Sequence, residues 1–381
     1  MIAEGILNYL AQRFELSRGV GGDHVRSMEG LRGLAVFLVF LVHYVSLVEP
    51  WIIKGSSVLT LATALHRMGN SGVDLFFVLS GFLIYGSLLV KKQAYFRFMR
   101  RRIERIYPTF TVVFLVYVLL SFALPGQSKI PAGVPQAALY LVENFLLLPG
   151  LFPITPMITV AWSLSYELFY YLAIPFVIAA FSLRKRSSLW RMTFFLILSG
   201  LLAVYCAFNG GHIRLIMFVS GIMLFEVMNG VGKSCRPASV IGLLALALGL
   251  SATLLPVSGS AGVVVKIGIL SVTFFVLCLT CFRNSSGRLA QAFCWTPLRY
   301  LGNMSYSYYL VHGLALQFSF LVLARALPGA SFGAWFFWVA LPAMFLLTLL
   351  ASGGLFLLVE RPFSLGTTKA RPSAQHVALA S

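Results

Sequence analysis

Met28-Glu-Gly-Leu-Arg-Gly-Leu-Ala-Val-Phe-Leu-Val-Phe-Leu-Val-His43 is an apolar run with an arginine, Arg32, near its start and a histidine, His43, at its end. The apolar character continues to residue 48, giving a segment long enough to cross a bilayer. An ionisable side chain inside such a segment is costly to desolvate, so it marks a functional site by default. At about 1.5 Å rise per residue, Arg32 and His43 fall on one face of a helix, roughly 16 Å apart along its axis.

The rest of the chain has the same character. Its 381 residues are 59% hydrophobic, 14% aromatic and 10% charged, with mean hydropathy +0.89. An ordinary soluble domain carries about 25% charged residues. The sequence therefore predicts an all-α integral membrane protein, a bundle of about ten transmembrane helices of about 20 residues each. The spans fall near 32–48, 72–90, 107–124, 160–181, 191–208, 213–229, 238–256, 263–282, 301–323 and 334–358. One domain is expected, with a membrane bundle over 28–363, an N-terminal tail over 1–27 and a disordered C-terminal tail over 364–381. The first 27 residues lack the continuous apolar core and small-residue cleavage pattern of a removable signal peptide. They read as a tail with a short amphipathic helix.

Basic residues orient the bundle, because Lys- and Arg-rich connections stay in the cytoplasm. With the N-terminus inside, all of the 29 Lys and Arg residues lie on the inner side except Lys54, Arg67, Lys129, Arg214, Lys266 and Arg325. Both termini are thus expected in the cytoplasm, in a multi-pass inner-membrane protein. The formal charge of +18 is spread over separate inner segments, and topology explains most of it, which argues against a nucleic-acid partner. The dense cluster Arg97 to Arg105 exceeds that need. It fits two readings: an anchor for anionic lipid headgroups, or a phosphate site built from guanidinium forks.

The five cysteines, Cys206, Cys235, Cys278, Cys281 and Cys294, are odd in number and sit mostly on the reducing side, which disfavours a disulfide framework. Cys278 and Cys281 have metal-ligand spacing but no second ligand pair nearby, so they read as packing residues and no metal is expected. Other ionisable groups do fall within spans. Glu167 lies about seven residues into the fourth span, which by the helix rise brings it to a depth similar to His43, where the two can meet. Asp74 lies near the outer end of the second span and His312 near the middle of the ninth. The run Tyr306, Tyr308 and Tyr309 reads as helix packing and interhelical hydrogen bonding.

Six blocks in order resemble the membrane-bound acyltransferase 3 family. They are Arg32 with His43, Gly72-Val-Asp-Leu-Phe-Phe-Val-Leu-Ser-Gly-Phe82, Arg101-Arg-Ile-Glu-Arg-Ile-Tyr-Pro108, Trp162-Ser-Leu-Ser-Tyr-Glu167, Ser305-Tyr-Ser-Tyr-Tyr-Leu-Val-His312 and Val359-Glu-Arg-Pro362. The resemblance covers residues 27 to 363. It implies transfer of an acyl group, often acetyl from acetyl-CoA, to hydroxyls of polysaccharides, lipid-linked sugars, peptidoglycan or macrolides. On that basis His43 is the expected base, with Glu167 or Asp74 orienting it. Arg32, Arg101, Arg102 and Arg105 are expected to hold the donor's phosphates. Trp162, Ser165 and His312 are expected on the acceptor. A glycan or glycolipid of the cell envelope is the favoured acceptor over a small molecule such as a macrolide. Direct attack by the acceptor hydroxyl is favoured over an acyl-enzyme on His43 or Ser80. A proton-coupled transporter and an inert scaffold are the competing readings. The segment over 125–159, long and Pro-rich, is a candidate selector of acceptors.

Overall fold

The computed structural model describes residues 11–16, 24–230 and 236–365. Helices dominate, and the described residues contain no strand beyond isolated bridges such as Ile52 with Phe332. In chain order the helices are α1 (His24–Val48), α2 (Val58–Gly69), α3 (Ser71–Val90), α4 (Tyr95–Ala123), α5 (Val134–Phe145), α6 (Ala161–Ala180) and α7 (Ser188–Asn209). They continue with α8 (Leu215–Asn229), α9 (Ser239–Ala252), α10 (Gly259–Arg283), α11 (Arg288–Phe293), α12 (Thr296–Asn303), α13 (Ser305–Ala326) and α14 (Trp335–Leu355).

Eight helical segments are long and apolar enough to cross a membrane, and α8 and α9 are shorter apolar helices. Every span drawn from the sequence overlaps one of these, so the protein is a membrane-embedded helical bundle. The differences lie at the ends. The ninth span, expected from residue 301, is two helices, because the chain bends at Met304 (φ −93°, ψ 14°) between α12 and α13. The tenth runs on past 358 as a wider π-helical stretch, Phe356–Leu365. Pro362 cannot donate a backbone hydrogen bond, and Glu360 in that stretch is fully buried. The 125–159 segment contains α5, which packs Phe145 against Tyr107 and Phe114 of α4 at ring distances of 5.4 and 5.6 Å.

Small residues set the closest helix crossings, as is usual where lipid removes the hydrophobic drive between helices. A Cβ on Gly81 of α3 would stand 2.2 Å from the Phe218 carbonyl of α8, and one on Gly221 would stand 2.1 Å from the Val78 carbonyl. α1 meets α12 in the same way, since a Cβ on Gly302 would lie 1.8 Å from the Glu29 carbonyl. Buried ion pairs fix the remaining contacts. Arg191 of α7 binds both carboxylate oxygens of Glu226 on α8, at 2.6 and 2.7 Å, and Tyr85 and Ser188 donate to the same group.

Of the N-terminal tail, residues 11–16 are described, and 11–14 form a helical turn. Phe14 stacks on Phe356 at 5.5 Å, Asn303 donates to the Phe14 carbonyl, and Arg361 donates to the Gln12 carbonyl at 2.7 Å. Glu15 pairs with Arg299, which also binds Glu29 at 3.0 Å. Residues 24–27 of the expected N-terminal tail belong to α1, and Ser364 and Leu365, expected in a disordered tail, end the π-helical stretch; residues 1–10, 17–23 and 366–381, and Cys235, lie outside the described residues.

Candidate active site

Helices α1, α3, α4, α6 and α13 enclose a cavity of ≈ 400 Å³ whose polar lining includes Arg32, Ser80, Arg102, Arg105, Glu167 and Tyr309. Three of the arginines expected on the donor thus share one space, although Arg32 comes from α1 and Arg102 and Arg105 from α4. Arg32 donates to Ser305 Oγ at 2.9 Å. Arg105 approaches Glu360 at 2.9 Å, out of line for a hydrogen bond. Glu360 in turn accepts from the backbone N–H and the hydroxyl of Ser307, at 3.0 and 2.6 Å.

Arg102 lies over the rings of Phe98 and Tyr171, 5.1 and 5.4 Å from their centroids. Its Nε is buried, and among the described residues it forms no hydrogen bond. A guanidinium held on aromatic faces keeps its fork open for a phosphate. Arg101 differs, being exposed, bonded to Gln93 at 3.3 Å and outside the cavity lining.

Glu167 sits deeper in this cavity, where it accepts from Ser80 Oγ at 3.1 Å and from the Tyr171 hydroxyl. It does not reach His43 as the depth argument anticipated. His43 lines a separate, smaller cavity of ≈ 120 Å³ with Ser46, Tyr117, Thr159, Val160 and Gln317. Equal depth on two helices does not make two side chains face one another, and depth was the only coordinate that the helix rise supplied.

The neighbour His43 does have is His312, with ring centroids 5.0 Å apart and planes at 65°. His312 Nδ1 lies 2.8 Å from the Tyr308 carbonyl. A carbonyl only accepts, so Nδ1 carries the proton and Nε2 keeps its lone pair in the neutral ring. That Nε2 is buried and has no hydrogen-bond partner among the described residues.

Tyr309 divides the two spaces. Its hydroxyl and that of Ser163 lie 2.6 Å apart, and both reach the Val160 carbonyl, at 3.1 and 3.2 Å. Tyr309 and Ser163 line the first cavity, while Val160 lines the second. The tyrosine run, read as helix packing and interhelical hydrogen bonding, makes such bonds through Tyr306, Tyr308 and Tyr309, and Tyr309 does so between the linings of the two cavities.

Asp74, Trp162 and Ser165 line neither cavity. Asp74 is buried and paired with Arg214 at 2.8 Å, and that guanidinium lies 5.5 Å from the centre of the Trp162 ring. Ser165 donates to the Pro149 carbonyl, pinning the 125–159 segment to α6. Next to it Gly150 has φ +94°, and a Cβ there would stand 2.5 Å from the Trp162 carbonyl. Lys129 ties the same segment down by donating to Pro156 O and Thr159 Oγ1 at 3.0 and 3.2 Å. Burial lowers its ammonium below the ordinary lysine range. No group of three or more His, Cys, Asp or Glu able to hold a metal occurs among the described residues.

The protein is thus a helical membrane bundle with a guanidinium-lined cavity and a histidine pair in a second cavity. The family model described as an acyltransferase domain, acyltransferase 3, matches residues 25–357, and the chain belongs to that family. It is a membrane acyltransferase. It is 27% identical over 390 residues to Acyltransferase MdmB of Streptomyces mycarofaciens, covering 91% of this chain and 94% of that protein. It is also 29% identical over 169 residues to O-acetyltransferase OatA of Staphylococcus aureus, covering 41% of this chain and 25% of that protein. No solved structure matches the chain.

Proposed function

We propose that the protein is an inner-membrane O-acyltransferase that moves acetyl from acetyl-CoA to a hydroxyl of a glycan or glycolipid of the cell envelope, with both termini in the cytoplasm. The observation that carries this reading is the pairing of a cavity holding Arg32, Arg102 and Arg105 with a histidine cavity beyond Tyr309. Acetyl-CoA is anionic at its nucleotide end and carries its thioester on a long thin arm. In this reading Arg102, with Arg32 and Arg105 beside it, holds the phosphates, and the arm extends through the first cavity toward Ser163 and Tyr309. Arg101, outside the lining, contributes only to the surrounding field.

The acceptor hydroxyl lies on the His43 side. Its oxygen attacks the thioester carbonyl carbon, the C–S bond breaks, His43 takes the hydroxyl proton, and that proton passes to the departing CoA thiolate. His312, rather than Glu167 or Asp74, is the group that flanks His43, and its unprotonated Nε2 favours a hydrogen-bonded, oriented imidazole. For the two reactants to meet, the Tyr309 partition opens during the cycle. The acetyl group is favoured by the name of the OatA relative, O-acetyltransferase.

The test is transfer of radiolabelled acetyl from acetyl-CoA into envelope glycans, in cells carrying the intact chain, its His43→Ala variant at matched membrane abundance, or neither. Label confined to the intact chain is expected. Equal label in all three would refute the proposal.

A further inference from the structure

The His43 cavity does not end at its own walls. Tyr117, Thr159, Gln317 and Leu47 also line a vestibule of ≈ 400 Å³ at the C-terminal ends of α1, α4 and α13. The vestibule is mixed: Ser121, Gln127, Lys129, Thr159 and Gln317 stand on its walls among leucines and phenylalanines. These side chains offer both donors and acceptors and no carboxylate, a set suited to a hydroxylated head. Leu120, Leu314 and Phe318 are shared again with a third space, an apolar cleft of ≈ 620 Å³ between α13 and α14. Its lining includes Val311, Ala315, Val322, Met344, Leu347 and Ala351. Several of its residues, among them Phe318, Val322 and Leu347, belong to the bundle's lipid-facing surface.

From this continuity we infer that the acceptor is amphiphilic and enters sideways from the bilayer: its apolar portion occupies the α13–α14 cleft while its hydroxylated head passes through the vestibule to His43. The inference deepens the proposed O-acyl transfer and rests on it for the role of His43. Three linked spaces whose walls go from almost wholly apolar, through mixed, to a histidine cavity match such a molecule in order. A freely soluble sugar would need only the vestibule. The small His43 cavity suits the presentation of one hydroxyl rather than the engulfing of a whole head.

The small side chains Ala315 and Ala351 face the cleft from α13 and α14, so an indole at either position fills it. Leu350 is exposed and outside the lining, and serves as the control. The test uses the full chain in lipid nanodiscs with dodecyl maltoside bearing a diazirine at the end of its alkyl chain. Photolysis followed by peptide mapping is expected to place adducts on 311–326 and 344–351. Ala315→Trp and Ala351→Trp, each checked for unchanged thermal unfolding, should cut that labelling at least 5-fold, and Leu350→Trp should not. Adducts spread evenly over the lipid-facing helices, or insensitive to both cleft variants, would overturn the inference. Because this readout does not depend on turnover, it separates the two ideas. Mapped labelling without any acetyl transfer in the glycan assay would sink the proposed acetyl transfer to glycans and leave the amphiphile site standing.

Discussion

The Tyr309 hydroxyl lies 2.6 Å from that of Ser163, joining α13 to α6 at the point where the arginine-lined cavity stops and the His43 cavity begins. In the proposed reaction, a hydrogen-bonded pair at that point would keep the acyl donor on one side from water and acceptor on the other. Tyr309→Phe keeps the ring and removes the hydroxyl, so the partition loses its bonds to Ser163 and Val160. The expected outcome is a larger share of acyl-CoA lost to hydrolysis. It is read as free CoA released per acetyl transferred, and an unchanged ratio would argue against the partition.

His43→Ala should lower transfer by about 10²–10⁴-fold, the usual worth of a positioned general base. Ser80→Ala removes the hydroxyl that donates to Glu167. If the acceptor attacks directly, it should cost roughly 10-fold or less and leave no change in the order of substrate binding. Loss as deep as that of His43→Ala, with disappearance of a trapped acyl-enzyme, would instead point to a relay through Ser80.

Donor affinity should separate Arg102 from Arg101. Arg102→Ala takes a guanidinium out of the cavity, and hydrogen bonds to charged groups are worth about 1.5–3 kcal/mol, so KM for acetyl-CoA should rise roughly 10- to 100-fold. Arg101→Ala should change it by less than about 3-fold, since exposed charges contribute little. Initial rates over a donor titration compare the two directly.

Glu226→Gln probes architecture rather than chemistry. Arg191 would be left buried beside a neutral amide, and breaking one half of a buried ion pair costs about 3–5 kcal/mol. A markedly lower unfolding temperature in detergent is expected, with KM for the donor unaltered in whatever protein remains folded. Unchanged thermal unfolding would show that the α7–α8 contact does not depend on this pair.

Gly302→Val tests the crossing of α1 and α12. The added Cβ meets the Glu29 carbonyl, and backbone cannot yield as a flexible side chain can. Loss of monodisperse protein on gel filtration is expected, whereas Gly354→Val, with open space around it, should be recovered at the wild-type level.

The bundle was legible because lipid makes its demands on every span: long apolar runs, few charges and basic residues gathered between them. The arginine cavity was legible in part, since Arg32, Arg102 and Arg105 stand out against that background. Which polar groups face each other was not. Helix rise alone gives Glu167 and His43 similar depths, yet helix rotation, set on α1 by contacts such as Gly302 against Glu29, leaves them in different cavities. Asp74 carried the signature of an active-site acid, and its partner Arg214 lies 140 residues away in sequence, beyond any local pattern. Tyr309 was legible as an interhelical hydrogen-bonding residue, but its partners Ser163 and Val160, distant in sequence, were not. Glu360 offered a usable signal, an acid at the end of a run with no other charge from 334 onward, and its buried contacts with Arg105 and Ser307 match that oddity.

The contacts of Phe14 with Phe356 and of Arg361 with the Gln12 carbonyl have a consequence of parity. The first and last described stretches touch, so both lie at one end of the bundle whatever the direction in which it was inserted. Reporter enzymes attached at the two termini are therefore expected to give the same reading, and opposite readings would argue against the proposed topology.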